Sequence, residues 1–434
     1  MVKREMSAGR AMLATGASSL VLPMAALITS PLLARALNPE GRGSMSAVLS
    51  PAMLVAGLAG LGLPAATLFH TARGGMSHRA FLRVCAAAVA AGVVAALLLT
   101  LFRPPAIDAQ GGIRSVYECV AWTLPAVLLV DVLRARALGY GKYGVAVAER
   151  WTAGIVRFIA VVVCFLAGWL ESVVVAVLAS WLPGLVVGLV LHLASGRRST
   201  DGAALAEADA GKIASYAARS WASSVVGLAL IRATEVYMAA NSTATQLGLF
   251  VIAAAVADVP ILALSAVRDI VVRTLSRPEV DFAARLGLML RVVGGLSVGS
   301  SIAIVLAAPV LVPLVFGRDY GPAVAVVQVL VVATIGNSLS SVLFAGLAAR
   351  DRPQAQVVAQ LFGLAAMIPG LVLSVPTFGA LGAAATVAVA QLVTAFAAFV
   401  ITARSMAFPM MALLVPNRGD VRAVIYVLKP GKTT

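Results

Sequence analysis

The hydropathy of this chain rises and falls in long waves. Apolar runs of about twenty residues or more, enough to cross a hydrocarbon layer of roughly 30 Å as helix, cover 12–36, 44–68, 80–102, 116–138, 147–168, 172–193, 214–238, 247–272, 286–316, 322–348, 356–375 and 379–402. Short polar loops separate them. The pattern predicts an all-α polytopic membrane protein with twelve transmembrane helices, numbered spans 1 to 12 in chain order. The longest polar connection, Ser195 to Lys212, follows the sixth span. It predicts an N-terminal six-helix lobe at 1–196, a cytoplasmic linker at 197–212, a C-terminal six-helix lobe at 213–403 and a cytoplasmic tail at 404–434. A shift of 211 positions brings Gly168-Trp169-Leu170 onto Gly379-Ala380-Leu381, and the region of spans 4 to 6 onto spans 10 to 12. Because six is even, both halves run the same way. They form a parallel repeat about an axis along the membrane normal, with a central cavity expected between the bundles.

Composition agrees. The 434 residues are 61% hydrophobic and only 12% charged, about half the charge of a soluble domain, so a soluble fold is excluded. A net charge of +15 would suit nucleic acid if it lay on one soluble face. It does not: 24 of the 33 Lys and Arg residues fall in the termini and in alternate loops beginning near Thr71, Arg134, Ser195, Arg268 and Ala349. Five others (Arg35, Arg42, Arg103, Arg114, Arg318) lie at the opposite end. By the positive-inside rule the basic end is cytoplasmic, with both termini there and the protein in the inner membrane. Met1 to Arg10 precede an apolar stretch too long for a signal-peptide core, so the first span is read as retained. Nucleic acid is not an expected partner.

The inventory of chemistry is sparse. Cys85, Cys119 and Cys164 show no metal-ligand spacing and read as packing residues. His70, His78 and His192 lie at basic ends of spans, where a solvated or headgroup-facing role is expected. There is no phosphate loop, HExxH or GxSxG, and the loops at the basic-poor end are short, so catalysis, metal and cofactor are not expected. Ala56, Gly57 and Gly60 in span 2 suit close helix contact. Span 1, with Gly16, Pro23 and Pro31, is the candidate for a helix that bends in transport.

Ionisable groups at bilayer depth cost at least about 2.5 kcal/mol on insertion scales and mark functional candidates. Arg157 lies midway along span 5 and Asp258 midway along span 8. Arg232 and Glu235, three apart in span 7, share a helix face. Arg219 and Arg291 sit nearer the basic ends. Asp131 and Arg134 form a local pair, and Glu118 is expected to be solvated near the opposite interface. Two readings stand for the arginines. Arg157 and Arg232, with Arg219 and Arg291, line a positive cavity for an anionic headgroup such as a lipid diphosphate, whose oxygens suit the guanidinium fork. Alternatively, Arg157 or Arg232 neutralises Asp258 or Glu235 inside the bundle. Asp258 or Glu235, with Asn337 and Gln391 at mid-depth in spans 10 and 12, could likewise hold a coupling proton or sodium ion. Helix-to-helix hydrogen bonding is the other reading of the amides.

LLARALNPEGRGSMSAVLSPAMLVAGLAGLGLPAATLFHTARG (Leu32 to Gly74) resembles the first two helices of bacterial polysaccharide-export flippases of the oligosaccharide and O-antigen type. VLVPLVFGRDYGPAV (Val310 to Val324), SVLFAGLAARDRPQAQVVAQLFG and FGALGAAATVAVAQL (Phe378 to Leu392) are similar to the same group's spans 9 to 12. These flippases belong to the multidrug/oligosaccharidyl-lipid/polysaccharide exporter superfamily. The resemblance implies two six-helix lobes alternating between inward- and outward-open states to move a polyprenyl-diphosphate-linked oligosaccharide. Arg232 with Glu235 approximates an arginine and acidic residue of the group's span 7. The span 1 arginines of peptidoglycan-precursor flippases and the span 1 aspartate of drug extruders have no counterpart here. A non-enzymatic flippase or exporter of a lipid-linked cell-envelope glycan is therefore expected, with that substrate, membrane lipids and glycan-assembly enzymes as partners. The rivals are an ion-coupled multidrug-type exporter and a membrane glycan polymerase or acyltransferase.

Overall fold

The computed structural model describes residues 21–406, apart from 74–75, 105–106, 108–111, 197–209, 262–281 and 351–353. The start of span 1, most of the linker, the second half of span 8 and the tail beyond 406 lie outside them. The described residues contain helix for every one of the twelve spans and no strand. Spans 3, 5, 6, 7, 9 and 10 are the continuous helices His78–Leu101, Tyr143–Leu166, Val173–Gly196, Ala210–Asn241, Phe282–Phe316 and Ala323–Ala349. Span 8 begins as Ala244–Ala257.

Two helices are too long for single crossings. Val21–Ala59 turns at Asn38, whose φ of 56° and ψ of 175° leave the helical region, and Pro39 starts the second limb, where a missing N–H does no harm. Gln354–Met406 turns at Gly379 (φ 54°). In its two limbs Ser374 reaches Gly382 and Thr386 at 3.0 and 2.8 Å, while a Cβ on Gly370 would meet Thr386 at 2.6 Å. One limb's numbers rise as the other's fall, so spans 11 and 12 form an antiparallel hairpin. Gly168, between spans 5 and 6, also has a positive φ, 72°. It lies 211 positions before Gly379, so the repeat read from sequence joins two turns that both require the left-handed region.

Spans 2 and 4 differ from the continuous helices expected. Span 2 breaks at Gly60-Leu61-Gly62 and resumes as Leu63–Ala72, bent by 45°. Span 4 breaks at Thr123, between Ile113–Trp122 and Leu124–Gly139. Each restart carries a proline in its first turn, Pro64 and Pro125, and proline cannot donate to the preceding turn. In a bilayer the groups freed there must find other partners. At span 2, Trp221 Nε1 donates to the Leu58 carbonyl at 2.7 Å; at span 4, Thr123 Oγ1 donates to the Val120 carbonyl at 2.6 Å and accepts from Trp181 Nε1 at 2.9 Å.

The described residues fall into two compact units, one within 1–251 plus 315–319 and the other within 252–314 plus 320–434. In the first, a core around Leu33, Met45, Tyr117, Leu124, Val161 and Val177 joins spans 1 to 6. Span 7 packs antiparallel on span 2: Gly57 abuts Leu228, and Gly62 abuts the Ala217 backbone. Of the small residues singled out in span 2, Gly57 abuts span 7 and Ala56 packs against the core, while a Cβ on Gly60 would touch only its own span. In the second unit, Ser297 and Ser301 of span 9 bond across to Ser338 and Thr334 of span 10 at 3.1 and 3.4 Å. These two spans are a second antiparallel hairpin. Outward faces are apolar. Leu306, Val310 and Leu314, one turn apart on span 9, are 74%, 68% and 64% exposed, as a face toward lipid should be.

Candidate functional site

Span 5 carries the most informative pair of charges. Ala153 and Val161 are buried, while Ile155, Val156, Phe158 and Ile159 are exposed. Arg157 is spaced four from both buried residues, so it shares their inward stripe rather than the lipid face. Its Nε is buried and makes no hydrogen bond among the described residues. The neighbouring charge that acts on it is Arg42, of the same sign. Arg42 comes from the start of span 2, near the basic-poor end, and its Nη1 lies 3.1 Å from Met45 Sδ. Like charges inside a bundle repel, and an anion near both would lower that repulsion.

Arg232 is placed differently. Its Nη1 lies 3.2 Å from Glu235 Oε2, and that same oxygen accepts a 2.6 Å hydrogen bond from Ser50 Oγ of span 2. For Arg232 and Glu235 the internal pair is the arrangement found, with Ser50 an unanticipated third member. Arg219 is exposed on span 7.

At the basic end, spans 4, 5 and 6 meet in a charged network. Arg134 holds Glu149 through both fork positions, Nε at 2.7 Å and Nη2 at 2.6 Å, and reaches Asp131 with Nη1 at 2.7 Å. His192 Nε2 lies 3.0 Å from Glu149 Oε2, the oxygen that also accepts from Arg134 Nε. The pairing of Asp131 with Arg134 is as expected. The solvated role for His192 is not: His192 and Glu149 are both only 2% exposed, because a buried carboxylate needs every partner it can reach. His78 is exposed, as expected at a helix start, and His70 is half-buried. Glu118, 37% exposed, is shared by Arg114 at 3.0 Å and Arg103 at 3.6 Å rather than simply solvated. Cys119 is exposed, so its reading as a packing residue fails: it falls on an outward face of span 4.

The second unit holds the remaining candidates. Gly336 packs so closely on Gln391 that a Cβ would lie 2.8 Å from the Gln391 carbonyl carbon. Spans 10 and 12 therefore cross at the depth of Asn337 and Gln391, both half-buried. Asp258 is exposed at the end of the described part of span 8, and Arg291 is half-buried on span 9. No metal-ligating cluster occurs among the described residues.

Solved structures share this fold across nearly the whole chain. A lipid II flippase, MurJ, in an inward closed conformation superposes with a TM-score of 0.73 at 10% identity, covering 97% of this chain and 94% of that one. A multidrug resistance MATE family transporter of the MOP superfamily superposes in its inward-facing conformation with a TM-score of 0.63 at 12% identity, covering 92% and 98% of the two chains. An outward-facing conformation of such a transporter gives 0.61 at 14%, covering 93% and 96%. No protein-family model and no curated protein sequence matches the chain. The fold is thus that of flippases and exporters, as the resemblance implied.

Proposed function

We propose that this chain is a flippase that moves a polyprenyl-diphosphate-linked oligosaccharide, or a related cell-envelope glycan precursor, across the inner membrane by alternating access. The observation that carries the proposal is the inward-facing Arg157, whose buried Nε has no hydrogen-bond partner among the described residues, with the like charge of Arg42 acting on it. A bidentate donor held next to a like charge suits a diphosphate better than a cation or a neutral solute. The fold shared with a lipid II flippase supports this reading. In it, Arg157 and Arg42 contact the phosphates, and Arg232 is released to them when Glu235 takes up a coupling proton or sodium ion. Arg219 and Arg291 are secondary anion contacts, and Asp258, Asn337 and Gln391 are the further candidates for ion coupling. The polar head moves through the protein while the lipid chain stays in hydrocarbon, so no bond is made or broken and no enzyme activity or cofactor is required. Both termini are cytoplasmic, and glycan-assembly enzymes supply the substrate.

The test is the distribution of lipid-linked oligosaccharide between leaflets in cells carrying Arg157→Ala, Arg42→Ala or Arg232→Ala. Loss of the outer-leaflet pool, with partial recovery in Arg157→Lys, is expected. Unchanged translocation by well-expressed Arg157→Ala and Arg42→Ala proteins would remove the basis of the proposal. The shared MATE fold favours a second reading, export of small amphipathic molecules by ion coupling. It predicts efflux of cationic dyes, which the proposal does not.

A further inference from the structure

The first unit holds an apolar recess that Arg157, Arg42, Arg232 and Glu235 do not line. It is a groove of about 850 Å³ between spans 2, 3 and 7, lined by Leu54 and Leu58, Val94 and Leu98, and Val236 and Ala240. Its span 3 wall runs from Ala91 to Phe102, about 16 Å of helix at 1.5 Å per residue. That is about half of a roughly 30 Å hydrocarbon core, the depth of one leaflet. Val94, Leu98 and Phe102 are 56%, 47% and 78% exposed along it, so the groove faces hydrocarbon along its length.

Its polar groups are confined to one end, the basic-poor end. Arg103 and Tyr117 line it there. Arg103 and Arg114 share the carboxylate of Glu118, and Arg103 Nη1 also donates to the Thr100 carbonyl at 3.4 Å; a guanidinium carries five N–H donors, more than these two acceptors take. Tyr117 is 1% exposed, and its hydroxyl is buried with no hydrogen-bond partner among the described residues. A buried hydroxyl left unsatisfied costs about 1–3 kcal/mol, so an acceptor belongs beside it. An apolar slot one leaflet deep, with a cation and an orphaned donor at its interfacial end, has the outline of an anionic phospholipid.

We infer that the groove between spans 2, 3 and 7 binds one phosphatidylglycerol-type lipid of the leaflet at the basic-poor end. An acyl chain lies along Val94 and Leu98, the phosphate meets Arg103, and an ester or phosphate oxygen accepts from Tyr117. A bound chain would join span 7 to spans 2 and 3 along a line where side chains leave a gap. The site is independent of the translocated substrate, because it takes a bilayer lipid whatever the cargo.

The probe is a nanodisc of equal phosphatidylglycerol and phosphatidylcholine carrying the full chain, from which the protein is released for native mass spectrometry. The wild type is expected to retain one phosphatidylglycerol. Arg103→Gln should lower the ratio of bound phosphatidylglycerol to phosphatidylcholine about tenfold, by loss of a charge-assisted contact, Arg103→Lys should largely preserve it, and Tyr117→Phe should lower retention of both lipids. Leu98→Trp, which fills the slot, should abolish retention. The inference fails if a Leu98→Trp protein of unchanged melting temperature keeps the lipid, or if Arg103→Gln leaves the ratio unaltered. It also fails if the wild type retains no lipid, or if an equimolar polyprenyl phosphate displaces the phospholipid, since the occupant would then be a substrate tail. Should Leu98→Trp not fold, the Arg103 and Tyr117 variants decide the matter.

Discussion

Glu149 and Arg157 lie on the same helix, eight residues and therefore about 12 Å apart, and the helix treats them in opposite ways. Glu149 is enclosed by Arg134 and His192, with both of its oxygens bonded. Arg157 has a buried Nε without a hydrogen-bond partner among the described residues, and the charge acting on it, Arg42, has its own sign. A charge inside a membrane protein survives either by being paired or by being useful. The first region has the pairing expected of a staple between spans 4, 5 and 6. In the second, the neighbouring charge has the same sign as Arg157. Position in a span is thus a poor guide to role, and the state of the partners is a better one.

The largest effect that would test this contrast is on folding. Glu149→Ala leaves the half-buried Arg134 with Asp131 alone and the buried His192 without its carboxylate, and the loss is expected near the lower end of about 3–5 kcal/mol, read as a fall in melting temperature in detergent. The paired substitution Arg134→Met with Glu149→Leu should recover most of it, since removing both charges restores an apolar contact. A double variant no better than Glu149→Ala would mean that the network does more than staple helices. Ser50→Ala comes next. It removes a hydrogen bond to a charged group, worth about 1.5–3 kcal/mol when buried and expected at the lower end here because Glu235 is partly exposed. Arg157→Ala should alter stability by less than about 1 kcal/mol, or raise it slightly by relieving the repulsion from Arg42, while lowering the outer-leaflet substrate pool. If it instead melts the protein as Glu149→Ala does, the two regions are alike and the contrast is void. His78→Ala, on an exposed helix start, should change neither melting temperature nor transport.

The span count and the fold were readable because hydrocarbon imposes one rule on every crossing, a run of apolar residues long enough to close its own hydrogen bonds. The breaks in spans 2 and 4 were hidden by the same rule. Gly60-Leu61-Gly62 and Thr123 sit in apolar runs as hydrophobic as their neighbours, and only Pro64 and Pro125, each opening a new first turn, carried the signal. The Arg232 and Glu235 pair was legible because both lie on one helix face. His192 with Glu149 was not, because the partners are 43 residues apart on different spans, and periodicity within a helix says nothing of what a second helix brings. Arg42 was assigned by its nearness to a loop, whereas the turn at Asn38 sets it at the start of a helix inside the bundle. The orphaned Tyr117 hydroxyl has no sequence signature, since it is defined by what surrounds it.

The hydroxyl contacts that close the two hairpins of the second unit bear on how the chain is made. Those between spans 9 and 10 join residues 33 and 41 apart, and those between spans 11 and 12 join residues 8 and 12 apart. Contacts so near in sequence cost little loop entropy and form early. Each hairpin can therefore be completed as its second helix leaves the ribosome, and these hydroxyls do not have to wait in lipid for a segment not yet synthesised.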